Sequence, residues 1–335
     1  MTVVEIPSGT HDTASLLGGR FRLDERISSG DQVPGPRGSS WEARGLSLWK
    51  ATDQLLGRPV TIYLLPPGIP VPRTVVDAVQ SAAKVTDARI ATVFDTDFSP
   101  QCPYIVAEWT PGTHLEDLLR SGLPTPALAA AMIADAADAV AVAHRAGRPH
   151  LRLTPRALRW HPGSGLKITG FGIDTALCGP APGGAQDPGA NPMTADTRAL
   201  ARMLYALLTG YWPGDDTNTA LPPAPRHKGQ VCTPRQVRAG VPAVLDAITY
   251  RALQGQAADA PLRAQTPAGL AMALSMVQRP SRLLGASEYG EPADGVSAAD
   301  EADEGPGVTA IRHARRARHA RAKAGHGLST LLRPA

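Results

Sequence analysis

Four polar side chains in largely apolar surroundings are the first candidates for chemistry: Lys50, Arg152, Lys167 and Asp174. Arg152 is a permanent cation, suited to an anion or to an internal ion pair; the ion pair is the expectation. Asp174 offers one carboxylate, a poor Mg²⁺ site because hard cations collect several oxygens. Lys50 and Lys167 fall in strand-like segments and read as solvated edge residues. The cysteines, Cys102, Cys178 and Cys232, are far apart and form no C-x-x-C, so neither zinc nor a disulfide framework is expected. Thr309 stands in ADEGPGVTAI, with an acidic run before it and Ile311 after it. That pattern marks it as a phosphoacceptor candidate. A phosphate there carries about −2 charge and suits an Arg-lined reader.

The elements that must position these residues follow from pattern and punctuation. The chain has 335 residues, 43% hydrophobic but only 4% aromatic, so its core is built from Ala, Leu, Val and Ile. Residues 1–15 read as a flexible leader without the regions of a signal peptide. Strands are expected after Arg20, over 41–51, 58–65, 90–95 and 104–108, with one helix over 74–85 and a loop over 28–40. From residue 112 the character becomes helical, over 115–119, 125–144, 196–208, 241–253 and 266–277. Residues 150–173 alternate like paired short strands, and 178–192 read as an irregular loop. The stretch 127–143 contains Asp135 and Asp138 and reads as a buried helix, not a membrane span. The formal charge of +4 conceals a cancellation. Seven acids and no base lie in 285–309, and seven bases and no acid in 310–335. Residues 281–335 therefore read as a disordered acidic-then-basic tail.

Several segments, in order, resemble serine/threonine protein kinases. LWKATDQLLGRPVTIYLL (48–65) resembles the stretch running into the V-A-I-K strand. PYIVAEWTPGTHLEDLL (103–119) resembles the strand, hinge and first helix of the second lobe. GRPHLRLTPRAL (147–158) sits where H-R-D-x-K-P-x-N would be, and LKITGFGID (166–174) where the D-F-G strand would be. DTRALARMLYALLTGYWP (196–213) resembles the buried central helix, and the last two helices also have counterparts. The resemblance implies a bilobal α+β kinase-like fold, with a β-rich lobe over 16–111 and an α-rich lobe over 112–280.

Phosphoryl transfer in that family needs phosphates held by a Gly-rich loop and a Lys, Mg²⁺ held by Asp and Asn, and a base Asp. By resemblance the strand Lys position is Tyr63, the helix Glu position Ala78, the base position Arg152 and the next Lys position Thr154. The Asn position is Ala157 and the D-F-G Asp position is Gly170. The Gly-rich loop is absent. Shape-bearing positions stay: His150, Phe171 and Asp196, with Pro155 and Gly172. The resemblance therefore implies a pseudokinase with no catalytic residues, no metal and no required cofactor. Backbone groups of the hinge, Glu108, Trp109 and Thr110, leave room for weak ATP binding. Tyr63 is expected to plug the cleft, or alternatively to stack on an adenine. Residues 173–195 contain no A-P-E, which leaves Arg263 without its usual glutamate. The alternative reading is a divergent ATP-binding kinase with residual activity.

CTPRQVRAGVPAVLDAI (232–248), the missing D-F-G Asp and the short activation segment are most similar to the actinobacterial kinase-like domain associated with the MviN-type lipid II flippase. That resemblance implies a regulatory scaffold in peptidoglycan synthesis. Its implied partners are an active Ser/Thr kinase and a forkhead-associated domain protein. No transmembrane helix follows residue 335, so a stand-alone or truncated relative is expected. The expected location is cytoplasmic, with 310–335 as a peripheral, salt-sensitive contact to the inner face of an anionic membrane. No nucleic-acid partner is expected, since no folded motif accompanies the basic charge.

Overall fold

The computed structural model describes residues 16–27, 45–179, 191–214, 219–254 and 265–277. The predicted leader 1–15, the loop 28–40, most of 178–192, Arg263, the tail 281–335 and Thr309 lie outside the described residues. The elements are β1 (Leu16–Leu17), β2 (Phe21–Ile27), β3 (Ser47–Asp53), β4 (Arg58–Leu64), α1 (Arg73–Ala82), β5 (Val93–Asp97) and β6 (Tyr104–Glu108). After the hinge come β7 (Thr113–His114), α2 (Leu115–Ser121), α3 (Pro126–Arg145), β8 (Leu158–His161), β9 (Gly165–Ile168), α4 (Ile173–Cys178) and α5 (Pro192–Thr209). The chain continues through β10 (Arg226–His227), β11 (Gln230–Val231), α6 (Pro234–Val237), α7 (Ala243–Gln254) and α8 (Pro267–Ser275).

The first lobe is a six-stranded antiparallel sheet in the order β1-β2-β3-β4-β6-β5. Alternation along β3 and β4 sends Leu48 and Tyr63 to one face and Ala51, Val60 and Ile62 to the other, so both faces are packed. The second lobe is helical around α3 and α5. Alanine at eight buried positions of α3 lets its neighbours approach closely, which is how a chain poor in aromatics fills a core. Among the described residues, α3 is the one helix long and apolar enough to cross a membrane, and 67% of that stretch is buried inside the protein. This is the bilobal α+β arrangement that the sequence resemblance implied.

Two local outcomes differ from the pattern reading. Residues 150–157 form a loop rather than a strand; β8 and β9 pair, and β7 joins β8 on its other side. Pro155 cannot donate to a ladder, and the amides of 150 and 151 are taken by a carboxylate. Helix α5 begins at Pro192, four residues before the expected start. Asn191 caps it by accepting from the Met193 amide at 2.9 Å, and proline suits the first helical turn.

Candidate functional site

The loop carrying His150 and Arg152 is shaped by one buried carboxylate. Asp196 Oδ2 accepts from the His150 amide at 2.7 Å, and Oδ1 from the Leu151 amide at 2.7 Å. The His144 Nε2 lies 2.8 Å from Oδ2. These bonds hold Leu151 at φ 60, a left-handed conformation that a branched side chain rarely adopts. His150 is fully buried. Its Nε2 faces the Thr169 carbonyl at 3.3 Å, and its Nδ1 accepts from the Arg152 amide at 3.3 Å, an arrangement that requires the proton on Nε2. Burial lowers the His150 pKa, which keeps the ring neutral. The ring meets Phe171 edge-on, with centroids 5.5 Å apart.

Immediately after Phe171 the chain turns into α4, a helix for which the sequence reading made no assignment. Gly172 starts it at φ 71, and a Cβ there would lie 2.4 Å from the Ala82 Cβ of α1 and 3.4 Å from the Ala78 carbonyl oxygen. Only glycine allows this approach. Ile173 and Leu177 thereby enter the apolar core beneath the sheet, against Leu48, Tyr63, Val75 and Val79. Tyr63 is buried there. Burial drives its phenol pKa well up, helped by the neighbouring Asp174 and Cys178.

Gly170 and Asp174 are linked by space. A Cβ at Gly170 would fall 1.8 Å from Asp174 Oδ2 and 2.2 Å from its Cγ. The Asp174 carboxyl occupies the volume that a side chain at 170 would need. It is buried, its Oδ2 has no hydrogen-bond partner among the described residues, and burial pushes its pKa well above the carboxylate range despite the opposing charge of Arg152. Its surroundings disfavour the charged form. Among the described residues, no group of three His, Cys, Asp or Glu could hold a metal ion.

Arg152 is 1% exposed. Two of its hydrogen bonds go to main-chain carbonyls: Nη1 donates to Gly179 O at 2.7 Å and to Cys178 O at 3.3 Å. The cation thus satisfies the C-terminal end of α4, where positive charge is favoured. Thr175 Oγ1 donates back to the His150 carbonyl at 2.5 Å, so loop and helix brace each other. Thr154 is buried with its hydroxyl unpartnered among the described residues. The Ala157 carbonyl accepts from the Thr169 amide at 2.8 Å, and Ala157 itself is fully buried.

One small space between the lobes has a volume of about 20 Å³, bounded among the described residues by Leu48, Thr61, Tyr63, Glu108, His114, Gly170 and Ile173 among others. That is room for about one water molecule. At the hinge, the backbone and side chain of Glu108 are engaged within the chain. Thr61 Oγ1 donates to the Glu108 carbonyl at 3.4 Å, and the Glu108 amide donates to Thr92 O at 2.8 Å. The Glu108 side chain pairs with Lys167, and its other oxygen accepts from the Thr92 amide at 3.2 Å. Lys50 Nζ lies 5.1 Å from the centre of the Trp109 ring. Neither lysine is therefore a simple solvated edge residue: the hinge supplies a carboxylate for one and an aromatic face for the other. Thr110 is buried.

Sequence reading missed a polar hub at the floor of the cleft. His114 Nδ1 lies 2.6 Å from the Arg156 carbonyl, and its Nε2 accepts from Arg159 Nη1 at 2.8 Å, which places the proton on Nδ1. Burial, reinforced by the Arg159 charge, lowers the His114 pKa to about 4. Next to it Glu116, 1% exposed, accepts from Arg156 Nε at 3.2 Å and from the Ala220 amide at 2.6 Å. The partners are up to 104 residues apart, so no local spacing marks them.

No protein-family model matches the chain. It is 25% identical over 231 residues to the serine/threonine-protein kinase PknL of Mycobacterium tuberculosis, covering 62% of this chain and 54% of that protein. It is 28% identical over 206 residues to PknB of the same species, covering 52% of this chain and 31% of the kinase. A probable serine/threonine-protein kinase of Corynebacterium efficiens is 31% identical over 150 residues, covering 42% of this chain and 23% of the relative. The chain therefore spans at most about half the length of these curated relatives. Taken with the two-lobed fold, these matches make this chain a kinase-like protein related to actinobacterial serine/threonine protein kinases.

Proposed function

We propose that this chain is a pseudokinase, a kinase-shaped regulatory or scaffold module that does not transfer phosphate. The observation that carries the reading is the packing around Tyr63. Tyr63 and Ile173, joined in one apolar cluster with Leu177, line an interlobe space of about 20 Å³, which supports the reading that no nucleotide is held there. Each polar function of phosphoryl transfer lacks its group: no cation at Tyr63, no metal carboxylate at Gly170, no base at Arg152 and no amide at Ala157. Loss of several charge-stabilising groups together removes most transition-state stabilisation. The resemblance to the flippase-associated kinase-like domain extends the proposal to control of cell-wall synthesis. An active kinase phosphorylates Thr309, and a forkhead-associated domain protein reads the phosphothreonine. The cytoplasmic location and the membrane contact of 310–335 belong to the same proposal.

A second reading is a divergent serine/threonine kinase with residual activity, favoured by the fact that the matched relatives carry kinase names. ATP titration by calorimetry, with Mg²⁺ and then Mn²⁺, and radiolabel incorporation separate the two. The pseudokinase reading expects no saturable heat and no label. Autophosphorylation abolished by changing Lys50, Lys167 or Asp174 would establish the second reading. Incubation with an active kinase followed by mass spectrometry tests Thr309, with Thr309→Ala as the control for reader binding.

A further inference from the structure

The two lobes exchange pieces of chain. The end of α1 and the connection to β5 leave the first lobe: Ala82, Val85 and Ile90 lie in the apolar core of the second, with Met132, Val140 and Phe171. Main-chain bonds fix that connection there. The Ile168 amide of β9 donates to the Arg89 carbonyl at 2.7 Å, and the Ala91 amide donates to Ile168 O at 2.8 Å. The Arg89 guanidinium pairs with Asp138 of α3 at 2.9 Å. In the opposite direction, Ile173 and Leu177 of α4 lie in the core of the first lobe, with Val79 and Ile105. Phe171 therefore belongs to one core and Ile173, two residues on, to the other. The exchanged pieces cross where Gly172 meets Ala82 of α1.

We propose that this exchange is a clasp that makes the two lobes one cooperative unit, with Gly172 and Arg152 as the positioning residues that keep it shut. Apolar burial is the main favourable term in folding, and lost core contacts are costly. Neither lobe opens without uncovering apolar side chains that the other supplied. Helix α4 has six residues, too few to stay helical in water by itself, so its shape depends on its seat. Gly172 allows the close approach to Ala82 at the start of α4. Thr175 Oγ1 donates to the His150 carbonyl within it. Arg152 donates to the carbonyls of Cys178 and Gly179 at its end. Arg152 and His150 stand on a loop of the second lobe, so that lobe grips a helix whose apolar face is seated in the first. The proposal concerns lobe coupling and stands whether or not the protein transfers phosphate.

The test uses the full chain and hydrogen exchange in increasing urea, read by mass spectrometry. Amides of β4 and β6 report the first lobe, and amides of α3 and α5 the second. In the wild-type chain both sets should lose protection at one urea concentration. Gly172→Ala places a Cβ 2.4 Å from that of Ala82 and should separate the two transitions by about 1 M urea, the first lobe opening earlier. Arg152→Met should separate them in the same sense. Adding Ala82→Gly to Gly172→Ala removes the atom that the new Cβ strikes and should narrow the gap. Val106→Ala, in the other packed face of the first-lobe sheet, should lower both transitions in step, because the clasp is untouched. That outcome separates loss of the clasp from loss of stability alone. Two transitions in the wild-type chain, or lobes that still open together in both Gly172→Ala and Arg152→Met, would overturn the proposal. A gap that Ala82→Gly leaves unchanged would overturn the role given to Gly172.

Discussion

Gly170 and Asp174 compete for one volume, and that competition can be measured. Gly170→Asp restores the residue type that a kinase carries at this position. Two costs follow. The backbone at φ 71 penalises any Cβ by ~1 kcal/mol, the low end of the range because aspartate tolerates left-handed geometry better than most residues. The new Cβ also falls 1.8 Å from Asp174 Oδ2, which forces a buried carboxyl out of its place at a cost of ~1–3 kcal/mol. The sum is roughly 2–4 kcal/mol, or a fall in melting temperature of about 5–15 °C for a body of this size. Asp174→Ala alone should be close to neutral, because it removes a buried acid with an unpartnered oxygen. Combining the two should recover the clash while leaving the backbone cost. The double-mutant cycle, read by urea unfolding, should therefore show a coupling of ~1–3 kcal/mol. Additivity within ~0.5 kcal/mol would refute the idea that Asp174 fills the space that Gly170 vacates.

Two further outcomes rest on the buried polar groups. Asp196→Ala removes the acceptor of two loop amides and the partner of His144; a loss of ~3–5 kcal/mol is expected in urea unfolding, with α3 and α5 otherwise intact. Acidification should also destabilise the fold. His114 has a lowered pKa of about 4 against 6.5, so the unfolded chain binds the proton more readily; stability is full above pH 6.5 and declines as pH falls toward 4. Between pH 7.5 and pH 5 the His114 contribution falls by ~2 kcal/mol, and His150 acts in the same direction. His114→Gln should flatten this dependence, and an unchanged urea midpoint across that range would contradict it.

Sequence alone determined the lobe order and the identity of most elements. The strand expected over 58–65 and the helical spacing over 125–144 survive in β4 and α3, because runs rich in β-branched residues and apolar residues at helical spacing state what must be buried. Sequence also marked the positions where a kinase concentrates charge and this chain does not, since motif register needs only order and spacing. It did not reveal what replaces that charge. Helix α4 was hidden because the residues before it read as strand, and its start depends on Ala82 and Ala78 coming within reach of Gly172. The destination of Arg152 at the carbonyls of Cys178 and Gly179, the self-satisfied hinge at Thr61, and the His114 hub all join residues distant in sequence. Such contacts exist only once the chain is folded, because burial makes each unmet hydrogen bond costly and selects the partner that happens to be near. The sequence thus pointed by resemblance to where kinase groups would stand, and the tertiary structure brought Tyr63, Ile173 and the buried Asp174 carboxyl to that region.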